Sequence, residues 1–168
     1  MSSSSKGTGA DYLVEKSDLA RAGKALPKIG DIVVFEDERM DSDRMLATLR
    51  TMLGYEVEVR RARTLNSGID LLIAKLPDLV LLDDYMGPTD RADDALPLIR
   101  RAGFTGPVVV VSGALNRKRR SELQKLGVAE AINKDDLDSG SIGRVMLQLA
   151  DRIAQHTPAQ HAAVKTDI

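Results

Sequence analysis

Residues 77–86 read Pro77-Asp78-Leu79-Val80-Leu81-Leu82-Asp83-Asp84-Tyr85-Met86. Four unbroken apolar residues follow a proline and end on two acids. Such a run, apolar without alternation, suits a strand covered on both faces. Two further runs have the same form. Ile32-Val33-Val34-Phe35 ends on Glu36-Asp37, and Val108-Val109-Val110-Val111 ends on Ser112-Gly113.

Between these runs the apolar spacing becomes helical. Met45, Leu46, Leu49, Met52 and Leu53 predict a helix over 41–53, closed by Gly54. Leu65, Ile69, Leu72, Ile73 and Leu76 predict another over 65–76, stopped by Pro77. Further helices are expected over 95–102, over 118–126 before Gly127, and over 141–155. Tyr55–Val59 alternates as a strand, and Ala129–Ile132 reads as a weak one. Five strand–helix pairs predict an α/β fold, a doubly wound five-stranded parallel sheet with right-handed crossovers. The domain is expected over 30–156. Residues 1–29 read as a flexible N-terminal extension with a short amphipathic helix over 11–25, and residues 157–168 as a polar tail.

Composition narrows the chemistry. The chain has 168 residues and no cysteine, which excludes disulfides, thiolate nucleophiles and Cys-ligated metals. Its two histidines, His156 and His161, fall near the C-terminus and suggest neither a His-metal site nor a Ser-His triad. Lys+Arg is 24 against Asp+Glu 25, so no global charge points to nucleic acid or an anionic membrane. Aromatic residues make up only 3%, which disfavours a stacking platform for single strands. With no secretory leader pattern and no long apolar stretch, a cytoplasmic protein without membrane association is expected.

In a parallel sheet the chemistry collects at the carboxyl ends of the strands. Those ends supply Glu36-Asp37, Asp83-Asp84, Ser112-Gly113 and Asn133-Lys134. Clustered carboxylates repel one another and call for a cation. Oxygen ligands without His or Cys select a hard ion, Mg²⁺ or Mn²⁺. A carboxylate beside such an ion can attack a phosphoryl group, and a lysine and a hydroxyl can hold its oxygens.

These segments, in this order and spacing, resemble the response-regulator receiver domain of two-component signalling. The resemblance covers 30–156 and implies the flavodoxin-like strand order 2-1-3-4-5. It implies that Asp83 is the phosphoacceptor, taking a phosphoryl group from a phosphohistidine of a sensor histidine kinase. Glu36 and Asp37 match the acidic pair at a Mg²⁺ ion, with Asp83 and the Tyr85 backbone carbonyl completing its protein ligands. Ser112 and Lys134 match the groups that hold the phosphoryl oxygens. No organic cofactor is implied. Such a protein is a phosphorylation switch, not an enzyme, catalysing only the phosphorylation and dephosphorylation of its own aspartate.

Four departures from the family pattern stand out. The stretch after Met86, containing Gly87-Pro88 and Thr89–Asp93, is a few residues longer than usual. Asp135 follows Lys134 where the family usually has proline. Ala131 occupies the strand-5 position of the usual switch aromatic, so output needs another route. Tyr85 is bulky and would shield an acyl phosphate, giving a long-lived phosphoryl group.

The flanking segments are too short for an output domain. The expectation is a stand-alone receiver without direct DNA binding, signalling by contact with a downstream protein or by relay to a phosphotransfer protein. Tyr12, Leu13 and Leu19 offer a homodimer contact. Two alternatives are weighed. A Mg²⁺-dependent aspartyl-phosphate phosphohydrolase usually carries a second aspartate two positions on, where this chain has Tyr85. A degenerate receiver that is never phosphorylated sits poorly with a complete set of acids, hydroxyl and lysine. Asp84 is expected to be a surface acid. The clusters Arg60–Arg63 and Arg117–Arg120 are expected to be solvated, although positive charge at a helix start runs against the dipole and hints at a partner for the second.

Overall fold

The structure is a computed structural model and describes residues 28–156. The N-terminal helix, its dimer contact, the polar tail and His161 lie outside the described residues. Five strands, β1 (Asp31–Phe35), β2 (Glu58–Ala62), β3 (Leu79–Asp83), β4 (Val108–Ser112) and β5 (Glu130–Asn133), form one sheet. Its order is β2-β1-β3-β4-β5, all parallel. Five helices alternate with them: α1 (Arg39–Leu53), α2 (Leu65–Ala74), α3 (Ala92–Arg101), α4 (Arg117–Lys125) and α5 (Ser139–Gln148).

The unbroken apolar runs are explained by two cores, one on each face of the sheet. Ile32 and Val34 of β1 join Leu79, Leu81, Val109 and Val111 under α1 and α5. Val33 and Phe35 point the other way, with Val80, Leu82, Val108 and Val110, under α2, α3 and α4. Alternate residues of one strand therefore feed opposite cores.

Phe35 is fully buried and fixes a glycine opposite it. A Cβ at Gly68 of α2 would lie 2.0 Å from Phe35 Cε1. We expect Gly68→Ala to destabilise the fold by about 1–3 kcal/mol or more through overpacking, read as a lower urea midpoint. An unchanged midpoint would contradict this packing.

The sequence expectation misplaces β2, which spans 58–62 instead of 55–59. Tyr55 is 82% exposed, and the chain turns after Gly54, whose φ is +92°. Val57 and Val59 do pack on the first core, but the strand continues through Arg60 and Arg61, which apolar alternation does not mark. Arg60 is not solvated. Its Nε donates to Asp31 Oδ1 at 3.0 Å, and its Nη atoms donate to the carbonyls of Leu71 and Lys75 at 2.8 and 2.7 Å. It thereby ties the edge strand to the end of α2. Helix α3 starts three residues earlier than expected, where the Asp94 carboxylate accepts the Arg91 N–H at 3.1 Å. Helix α5 starts at Ser139, and helical turns continue over 150–156. His156 is not a free tail residue: its ring meets Phe104 edge-on at 5.1 Å between centroids. Among the described residues no helix is long and apolar enough to cross a membrane.

Candidate functional site

Parallel register brings the strand ends to one edge. Phe35 lies opposite Leu82, Asp83 opposite Val111, and Ser112 opposite Asn133. The first residues past β1 and β5, and the last residue of β3, therefore share one corner. Glu36 and Asp83 are buried there and Asp37 is half-buried. One carboxylate oxygen from each of Glu36, Asp37 and Asp83 lies within 4.8 Å of the other two.

Lys134 reaches into this cluster. Its ammonium lies 2.9 Å from Glu36 Oε2 and 3.4 Å from Asp83 Oδ2. It also donates to Asp41 Oδ2 at 3.0 Å, a contact that sequence reasoning missed. Asp41 stands in the first turn of α1, where an acid is favoured by the helix dipole, and only the fold shows that this turn faces Lys134. Arg44, one turn further along α1, donates to the Lys134 carbonyl and anchors its backbone. After β5 the chain enters a short 3₁₀ turn, in which Asn133 Oδ1 accepts the Asp135 N–H at 3.1 Å.

The electrostatics follow from burial. Desolvation lifts the Glu36 carboxyl to a pKa of about 7, against the pull of its Lys134 contact; the Asp83 charge adds to the rise. Asp83 is raised as well, chiefly by burial, while Lys134 and the Tyr85 N–H act the other way. Burial works against the Lys134 charge, yet its hydrogen bonds to Glu36 and Asp41 hold it above the ordinary lysine range.

A group whose folded pKa exceeds its unfolded value stabilises the fold below the unfolded value and loses that contribution as pH rises through the folded one. For Glu36 the window runs from 4.5 to about 7. We expect metal-free protein to lose on the order of 1–3 kcal/mol of stability across it. Urea unfolding between about pH 5 and pH 7.5 measures this, and Glu36→Gln should flatten the profile. Stability that rises through this window would contradict the assignment.

The acids also fit a hard cation. Oxygen ligands about 2.1 Å from Mg²⁺ lie about 3 Å apart when adjacent and about 4.2 Å when opposite. Glu36, Asp37 and Asp83 each bring an oxygen within 4.8 Å of the other two, so the three could close onto such an ion.

Tyr85 follows Asp83 by two residues, and its N–H donates to Asp83 Oδ1 at 3.3 Å. The longer segment after it folds back on itself. Tyr85 and Arg91 form an antiparallel bridge, and the Met86 N–H donates to the Asp90 carbonyl at 2.7 Å. The Arg91 guanidinium sits 5.0 Å from the centre of the Tyr85 ring. The loop is thus a small hairpin beside the site.

Two expectations are corrected here. Asp84 is not a surface acid, because it is fully buried. Nor is all of Arg117–Arg120 solvated: Arg119 is buried and grips Asp84 with two nitrogens, Nε at 2.9 Å and Nη2. The same Nη2 lies 2.6 Å from Asp93 Oδ1, and Nη1 lies 3.2 Å from Glu122 Oε2. Arg120 donates to the Ala131 carbonyl at 2.8 Å. Ser112 is fully buried, and in this state its hydroxyl donates to Asp84 Oδ2 at 3.4 Å. The charge that looked available to a partner is in part an internal counter-ion, needed because Asp84 sits on a strand end inside the fold.

No protein-family model matches the sequence, and no curated protein matches it significantly. Solved structures do match. The receiver domain of a NarL-type regulator from Mycobacterium tuberculosis aligns at TM-score 0.62 and 21% identity, over 74% of this chain and 98% of that one. The receiver domain of a LuxO-type repressor from Vibrio parahaemolyticus aligns at TM-score 0.66 and 13% identity, over 79% and 98%. A receiver domain from Clostridium thermocellum aligns at TM-score 0.63 and 19% identity, over 74% and 96%. The described chain has the fold of response-regulator receiver domains, with the strand order that fold requires.

Proposed function

We propose that the chain is a response-regulator receiver whose Asp83 accepts a phosphoryl group from a phosphohistidine of a sensor kinase. The observation that carries this reading is the corner where Lys134 lies against Asp83 and Glu36, with Asp37 alongside. Three acids and an ammonium on three strand ends suit phosphoryl transfer to a carboxylate.

In the step itself an Asp83 carboxylate oxygen bonds to phosphorus as the phosphorus–nitrogen bond to imidazole breaks. The electron pair of that bond leaves with the imidazole. Glu36, Asp37, Asp83 and the Tyr85 carbonyl would hold Mg²⁺, which supplies charge neutralisation for the phosphoryl oxygens. Lys134 provides a second positive charge aimed at the same carboxylate. Ser112 provides a hydroxyl donor from the neighbouring strand end. The phosphorylated state then acts through protein contact or relay to a phosphotransfer protein. A donor kinase that consumes ATP would require the protein to share its cytoplasmic compartment. The chain is read as a switch that turns over only its own acyl phosphate.

Incubation with Mg²⁺ and acetyl phosphate, followed by intact mass, tests this. One phosphoryl group per chain is expected. Rapid turnover of phosphomonoesters would favour the phosphohydrolase, and no adduct from acetyl phosphate or a kinase would favour the degenerate receiver. The Tyr85 hairpin adds a kinetic expectation. If the ring, braced by Arg91, keeps water from the acyl phosphate, Tyr85→Ala shortens its lifetime several-fold. An unchanged lifetime would remove that role.

A further inference from the structure

Ser112, Asp84 and Arg119 form a buried chain of contacts that runs from the phosphorylation corner to α4. Each of the three is buried, and Asp84 is bonded to Asp83 through the backbone. Ser112 Oγ and Arg119 Nε share one acceptor, Asp84 Oδ2, at 3.4 and 2.9 Å. Arg119 sits in the first turn of α4 and reaches Asp93 in the first turn of α3.

A serine hydroxyl has one proton to donate. Here it is given to Asp84, while Ser112 Oγ accepts the Ala114 N–H at 3.3 Å. A phosphoryl oxygen on Asp83 can receive that proton only if Asp84 gives it up. At 3.4 Å the Ser112 contact is long for a hydroxyl donor, whereas the two-nitrogen Arg119 contact is short and charge-assisted. Loss of the first therefore leaves Asp84 wholly on Arg119. The aromatic route from the site to the surface is missing at Ala131, and the contact there is instead Arg120 of α4 on the Ala131 carbonyl. Helix α4 is thus fastened by neighbouring arginines to β5 and to the residue beside the phosphoacceptor.

Resting on the proposed function, we infer that Asp84 is a positioning residue: it holds the Ser112 proton in the unphosphorylated state and passes its withdrawal to α4 through Arg119. The output element is then α4, moved by a change in hydrogen-bond partner instead of by a rotating aromatic ring.

The arginine Nε–H region of the ¹⁵N–¹H spectrum tests this in the full chain, with the Arg119 signal identified by its absence in Arg119→Lys. On saturation with acetyl phosphate and Mg²⁺, the Arg119 Nε–H signal should shift in the wild type. In Ser112→Ala, where Asp84 already rests wholly on Arg119, the signal should lie near the phosphorylated wild-type position before loading and should not move on loading to the same occupancy by intact mass. A wild-type signal that does not move on full phosphorylation overturns the inference, and so does an equal shift in Ser112→Ala. If Ser112→Ala cannot be loaded, the wild-type arm alone decides. If the wild type itself takes no phosphoryl group, the mass shows it directly; the proposed function then fails and this inference falls with it.

Discussion

Arg119→Met is expected to destabilise the protein by about 3–5 kcal/mol, the cost of removing one partner of a buried ion pair. Asp84 is fully buried on a strand end, with Arg119 as its charged partner on two nitrogens. Without the guanidinium, the carboxylate keeps only the long Ser112 contact, and it must either take up a proton or drag water into the fold. Arg119 also neutralises Asp93, whose carboxyl it holds below the usual range, and so joins the starts of α3 and α4. The double variant Arg119→Met with Asp84→Leu should recover most of the loss, because apolar replacement of both partners leaves no buried charge. Denaturant unfolding of the two variants measures this. A single variant as stable as the wild type would show that Asp84 is not dependent on Arg119.

Lys134→Met should slow phosphorylation by roughly 10²–10³-fold, the range seen when one preorganised stabilising group is lost from a reacting centre. Lys134 is the ammonium against Asp83 and Glu36. Its removal leaves two buried carboxyls facing one another, both already raised by burial. They would hold a proton more firmly still, and a protonated Asp83 is a poor nucleophile. The kinetic readout is the rate of adduct formation from acetyl phosphate. Raising the pH should recover part of the rate by ionising Asp83, an effect that loss of fold would not give. A wild-type rate in Lys134→Met would contradict the placement of Lys134 at the reacting group.

Much of the site was readable in the sequence because parallel strands place their chemistry at their ends. Glu36-Asp37, Asp83, Ser112 and Lys134 each follow an apolar run, and register alone carries Glu36, Asp37, Asp83 and Lys134 into one corner. The strand order was implied by the family resemblance, not by the apolar runs, and the sheet has that order. Where the reading failed, the missing information was three-dimensional. Strand β2 is an edge strand stabilised through Arg60 and Arg61, and its polar residues look like a loop to any test of apolar period. Asp84 and Arg119 are 35 positions apart and each resembles a surface charge; only the approach of α4 to the end of β3 makes them a buried pair. Asp41 likewise joined the site through the packing of α1, with no signal in its neighbours. His156 looked like tail because its partner, Phe104, lies far along the chain in the loop between α3 and β4.

The central claim is that Asp83 carries the phosphoryl group. Intact mass of wild type and Asp83→Asn after Mg²⁺ and acetyl phosphate tests it most directly, with circular dichroism to show that both chains are folded. The account predicts a single phosphoryl adduct on the wild type, dependent on Mg²⁺, and none on Asp83→Asn. An adduct that persists on folded Asp83→Asn, or a wild type that takes none, would contradict it.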